Sequence, residues 1–416
     1  MIKQKQNFKY FLFLFFFLCS VKGFAANYYW VGGSGNWSDI NHWRTSSGGS
    51  GIPFVVPGLT DDVYFDANSG FTASSKTVTV NVPANMRNIT FSGSAVAPVL
   101  NSASTANPIN IYGSSEWQSG MTVNSVYLYY RNANIAKTIK SNGVPITGND
   151  DVYFEDETSI SLLDDFSAAG RLNHMAGTFN TNNHKVSVRS YAGNTGGKPR
   201  TVKSNGVPVN GSVFFEEETS VSLMDDLSVS STITHSAGTL ATLNHKVSMK
   251  NYSGDTGSKP RTLNLGSSDF YITGTMYDGD FSADSSYLTL NAGTSHIRFT
   301  GVLGYPKVKP YAGQHYYNIS FEKAELEGNL GYVQSGKVYY NRITMNGNGK
   351  LIKDNEIKEL ILSEGKTYSL ASSSTQTITG KLSAHIPDCG EKITISSSTA
   401  GTPANLVAAS GFFAGY

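Results

Sequence analysis

The sequence predicts an all-β chain wound into a parallel β-helix or a closely related β-solenoid, and three observations carry that expectation. Residues 155–200 return as residues 216–261 at a constant offset of 61, with 26 of 46 aligned positions identical. A unit copied in tandem rarely buries its apolar positions alone and stacks on its neighbour. The second observation is compositional: only 15% of residues are charged and 42 are Gly, while amphipathic helical patterns are nearly absent. The third is the period itself. Sixty-one residues overrun the roughly 40–50 of a propeller blade but fit three coils of about 20, each laying a short strand on the coil below.

From the N-terminus, residues 1–26 read as an export signal. Lys3, Lys5 and Lys9 precede an apolar core from Tyr10 to Val21, and small residues follow at Gly23, Ala25 and Ala26. That core is shorter than the roughly 20 residues of a spanning helix, and no later run matches it, so the mature chain is expected to carry no membrane span. The expected location is secreted or outer cell surface. Cys19 leaves with the signal, and Cys389 as the sole remaining cysteine excludes an internal disulfide. With 32 basic and 31 acidic residues, the net charge of +1 offers no field to draw in nucleic acid.

Residues 27–136 are expected to form an aromatic cap and the first coils. Trp30, Trp37 and Trp43 crowd the opening segment with Tyr28 and Tyr29. Two roles suit them: covering the core and strand edges at the end of a solenoid, which is the stronger reading, or presenting ring faces as a ligand platform for sugar. Trp117 stands alone and reads as packing. Further on, KTVTVNV (76–82) alternates with period two, as a strand with one buried face does.

Residues 137–262 hold the tandem units, with strands at KTIK (137–140), TSISLL (158–163) and HKVSV (184–188) between Asn-Gly and Ala-Gly turns. Upstream, 137–154 is echoed by 200–215, except that two residues within ITGNDD have no counterpart. Asn183 recurs as Asn244 and Asn142 as Asn205, placed for ladders of turn side chains. Residues 260–274 begin like a third copy and then diverge, and 263–416 are expected to form further coils with strands at SYLTL (286–290) and EKITIS (391–396).

Pieces spread over nearly the whole mature chain resemble one family. They include NYYWVGGSGNWSDINHW (27–43), DDVYFDANSGF (61–71), INIYGS (109–114), LTLNAGTSHIRFTG (288–301), YAGQHYYNISF (311–321) and LILSEGKTYSLASSSTQTITGKLSA (360–384). In this order they resemble the exported β-helical surface proteins of Bacteroidota, many of them cargo of the type IX secretion system. The resemblance implies right-handed winding, a surface-exposed adhesin-like solenoid, and no catalytic residues to carry over. In that family such chains often continue into accessory and sorting domains, so 263–416 is expected to be truncated, the alternative being that the chain leaves the cell by another route.

Several residues invite a chemical role. Asp164 and Asp165 recur as Asp225 and Asp226, but adjacent strand residues face opposite sides and do not converge on one substrate atom, which favours turn or cation-binding carboxylates over catalysis. His174 and His184 recur as His235 and His245 without the Cys/His spacing of structural zinc, which favours a stack across coils or surface placement. The oxygen-rich loop with Asp278, Asp280 and Asp284 is the candidate calcium site, with Asp61, Asp62, Asp150 and Asp151 as further candidates. The expectation is a non-enzymatic adhesion or stalk protein meeting extracellular glycans or cell-surface components. The alternatives are a polysaccharide lyase or hydrolase on the same fold, or a carbohydrate-binding module.

Overall fold

The computed structural model describes residues 25–416 apart from 103, 126, 149–150, 194–197, 205–207, 217–219, 255–256, 276–278, 332–335, 386–390, 409–412 and 416. The predicted signal and both cysteines lie outside the described residues. Strand accounts for 52% of the described residues and helix for 1%, and the strands stack as a parallel β-solenoid. No helix among the described residues is long and apolar enough to cross a membrane.

Each coil of the first part of the rod lays strands on three faces. In one coil these are Asn88–Phe91, Val99–Ser102 and Ile109–Ile111, after which Ser115–Glu116 returns to the first face one rung on. The core follows from this stacking, because a residue facing inward meets its counterpart one rung away at about 4.8 Å. On the second face Val78, Leu100, Val123, Ile146, Ala168 and Val188 form one such column, and all six are buried. Each large member contributes about 1.5–3 kcal/mol by leaving water. Where the second and third faces share one strand, the corner is a register shift, as between Ala168 and Arg171 and between Ser187 and Ser190.

The 61-residue repeat spans three coils. Ser159–Leu162 pairs with Gly177–Asn180, that strand with Arg200–Lys203, and that one with Ser220–Leu223, the copy of the first. Most coils are longer than the expected 20 residues or so: Ile160 lies on Phe179, 19 residues on, but Val63 lies on Ile89, 26 on, and Leu263 on Leu290, 27 on. The length change within ITGNDD is matched by a difference in strand layout. There the first copy has separate strands Ile146–Thr147 and Asp151–Phe154, whereas the second runs unbroken as Pro208–Phe215.

The N-terminal end is capped. Trp43–Arg44 runs antiparallel to Asn27–Trp30, with Trp30 opposite Trp43, against the parallel sense of the other strand pairs. Trp30, Trp37 and Trp43 are at most 1% exposed. Trp43 meets Trp30 and Trp37 edge-on, each with ring centroids 4.9 Å apart, and Phe65 carries the aromatic stack down to Phe91 at 4.0 Å. The reading of these three indoles as a ligand platform is therefore corrected: they are packed against one another, His42 and Phe65, and none is open to a sugar. Trp117 is buried against Phe91. At the other end, Thr394–Ser397 and Asn405–Ala408 are largely exposed strands.

Candidate functional site

The duplicated aspartates act between coils. Asp164 accepts from the amides of Ser141, at 2.6 Å, and Asn142 in the preceding coil, while Asp165 accepts from Lys185 N in the following one at 2.8 Å. The copies do the same: Asp225 accepts from Ser204 N at 2.7 Å and Asp226 from Lys246 N at 2.9 Å. Opposite-facing neighbours thus rivet each coil to the rungs before and after it. His184 and His245 lie 3.8 and 3.9 Å from Asp165 and Asp226. Asn142, Asn183 and Asn244 occupy left-handed turns, with φ of 47°, 67° and 70°. Asn142 donates to Trp117 O at 2.7 Å and Asn244 accepts from Ser267 N at 2.8 Å, so their side chains bond the neighbouring coil's backbone. Asn205 lies outside the described residues. Side-chain ladders form elsewhere, as from Asn124 to Asn101 at 2.8 Å and from Asn291 to Asn264 at 2.7 Å.

His174 and His235 are core residues, which corrects the expectation of a surface position or a mutual stack. Each lies within hydrogen-bond reach of a buried tyrosine in the next coil, His174 Nδ1 at 2.5 Å from Tyr191 Oη and His235 Nδ1 at 3.0 Å from Tyr252 Oη. Burial, with the Arg200 charge adding to it, pushes the His174 pKa down to about 3. Burial likewise brings His235 down to about 4, against an opposing hydrogen bond to Gly238 O. Lys137, Arg200 and Arg261 open corresponding strands of successive units and are all buried. Lys137 forms an ion pair with buried Asp156. Burial works to raise the Asp156 carboxyl but is outweighed by hydrogen bonds from Lys137, Thr158 and the amides of Ala133 and Thr158, which hold it below its usual value. Arg261 donates to Ser285 Oγ at 2.7 Å and Ser236 O at 3.1 Å.

The proposed calcium ligands are engaged elsewhere or lie outside the described residues, as Asp278 and Asp150 do. Asp280 pairs with Lys309 at 2.7 Å, and Asp62 is buried and gripped by Arg87 and Asn88. Asp61 accepts from Ala26 N and Gly58 N, each at 2.9 Å, and Asp151 from Arg171 N at 3.1 Å. Asp284 interacts with another residue as well. No group of three or more potential metal ligands occurs among the described residues.

A different site emerges where the first face is interrupted. Leu288–Asn291 pairs back to Arg261–Asn264 and, among the described strands, has no successor in its ladder. The strand His315–Phe321 pairs back to His296–Phe299 through Asn318–Phe321 alone, so His315, Tyr316 and Tyr317 overhang. Forward, His315 and Tyr316 lie on Tyr339 and Tyr340. The interruption leaves a groove of about 430 Å³.

Leu290, Ala292 and Gly293 line one side of this groove, and His315, Tyr317 and Tyr339 bring aromatic rings to it. His315 and Tyr339 stack with centroids 4.4 Å apart at 7°. Asn341, Glu356 and Lys358 add polar groups; Asn341 Nδ2 donates to Asn318 Oδ1 at 3.1 Å, and Glu356 pairs with Lys337 at 3.2 Å. Beneath them Tyr316 stacks on Tyr340 and donates to Gln314 Oε1 at 2.8 Å, while Gln314 Nε2 donates to Ala283 O at 3.0 Å. Burial holds both tyrosine phenols well above their usual pKa, so they stay neutral. Sequence reasoning passed over these residues, although a signal exists: Tyr-Tyr-Asn occurs at 316–318 and again at 339–341, one coil later.

Comparison with known protein families, with curated proteins and with solved structures finds no match.

Proposed function

We propose that the protein is an exported, non-enzymatic β-solenoid that works at the cell surface in adhesion or as a stalk, in the manner of the Bacteroidota surface proteins its sequence resembles. One observation carries this reading. The duplicated carboxylates, which are the obvious catalytic candidates, spend their oxygens on backbone amides of neighbouring coils. A hydrolase or lyase needs carboxyl groups converging on one bond with protons to exchange. A stalk needs what these aspartates provide, which is a long parallel ladder locked from rung to rung. Its length suits contact with extracellular glycans or cell-surface components by many weak sites together.

The test is binding of the full chain to a glycan array, with calcium and with chelator, alongside release of reducing ends or unsaturated products from each bound polysaccharide. Binding without product is expected. Product release abolished by changing one unduplicated carboxylate overturns the reading in favour of an enzyme.

A further inference from the structure

We propose that the groove between Leu288–Asn291 and the overhanging His315–Tyr317 is a saccharide-binding site, an inference that rests on the adhesion reading above. Tyr317 is 36% exposed and His315 is also open, in contrast to the indoles of the cap. Sugars offer one face of C–H groups and a rim of hydroxyls. An open aromatic ring receives the first, and amide, carboxylate and ammonium groups receive the second.

The groove supplies both within one unrepeated place. Tyr317 and the His315–Tyr339 stack provide rings, Asn341 and Glu356 provide amide and carboxylate oxygens, and Lys358 is exposed with no ion pair to a described residue. Its volume falls within the roughly 300–1,000 Å³ of sites that hold small ligands. The rings sit on paired strands whose inward neighbours, Tyr316 and Tyr340, are locked in the core, so the site is built before any ligand arrives.

A peptide adding as a strand is the competing occupant of an interrupted ladder. The overhang is only His315, Tyr316 and Tyr317, shorter than the usual strand of about 5–6 residues, which favours the sugar.

The experiment is a neutral and uronic-acid oligosaccharide array on the full chain, followed by calorimetric titration of the strongest binder against three variants. Tyr317→Ala and Asn341→Ala are expected to weaken binding at least tenfold with the melting temperature unchanged. Tyr64→Ala, in a separate surface groove with Glu116 and Lys140, is expected to bind as the parent does. Undiminished binding by the first two variants overturns the groove assignment and leaves adhesion standing. A parent chain that binds neither oligosaccharide nor peptide overturns the adhesion reading itself, and with it the site. Capture of an extended peptide that Tyr317→Ala abolishes, with no saccharide bound, overturns the ligand class while keeping the groove.

Discussion

The cap at residues 27–43 and the groove around 315–341 are both rich in aromatic residues, and the fold puts them to opposite uses. In the cap a short antiparallel return covers the first rung, and Trp30, Trp37 and Trp43 pack face to edge until no ring meets water. In the groove no described strand continues the first face beyond Leu288–Asn291, and alternate residues of the strand His315–Phe321 divide between core and solvent: Tyr316 inward, His315 and Tyr317 outward. Aromatic density alone does not distinguish a lid from a ligand face. Strand pairing does, because it decides which rings have a neighbour. Histidine follows the same rule, with His174 and His235 inside and His315 outside.

The largest effect that would break this contrast lies in the cap. Trp43→Ala is expected to cost about 3–5 kcal/mol, since a fully buried ring leaves a cavity among Trp30, Trp37 and Phe65. Chemical denaturation measures it, and a loss under 1 kcal/mol would mean the cap is no part of the core. The buried pair comes next: Asp156→Ala strands the Lys137 ammonium in the core and is expected to cost about 3–5 kcal/mol, while replacing both residues with apolar ones should recover most of the loss.

Acid separates inward from outward histidines. The unfolded chain binds protons at His174 and His235 near pH 6.5, and the folded chain only near pH 3 and 4, so the folded state is favoured above 6.5 and loses ground as pH falls. Each contributes a slope of about 1.4 kcal/mol per pH unit between those limits. The double variant His174→Phe/His235→Phe should flatten the dependence of unfolding free energy on pH between 6 and 5. An unchanged slope would refute their burial as neutral groups. The smallest effect belongs to the groove, where Tyr317→Ala should change stability by no more than about 0.5 kcal/mol.

Much of this architecture is legible in the chain. The 61-residue offset foretells three coils per unit, because a period is a property of sequence and stacking must reproduce it. The cap is legible because three Trp within 14 residues at the head of a β chain have few places to go but its open end. The buried cations are visible in outline, as KTIK, RTVK and RTLN, yet nothing in those strings says that the first residue faces inward. The histidines mislead for a related reason. Side-chain direction in a strand alternates residue by residue, so one step of register at a corner carries a group from solvent to core.

The sequence by itself determined the all-β solenoid, the repeat and its coil count, and the place of the cap, because alternation, period and composition are local or periodic quantities. Tertiary structure alone decided which aspartate oxygen meets which amide, that His174 and His235 are dry, and that no described strand follows Leu288–Asn291 on the first face. Those outcomes depend on how far one coil slides along the next, which is the sum of every turn length before it. No single segment carries that sum, so the groove appears only when the coils are stacked.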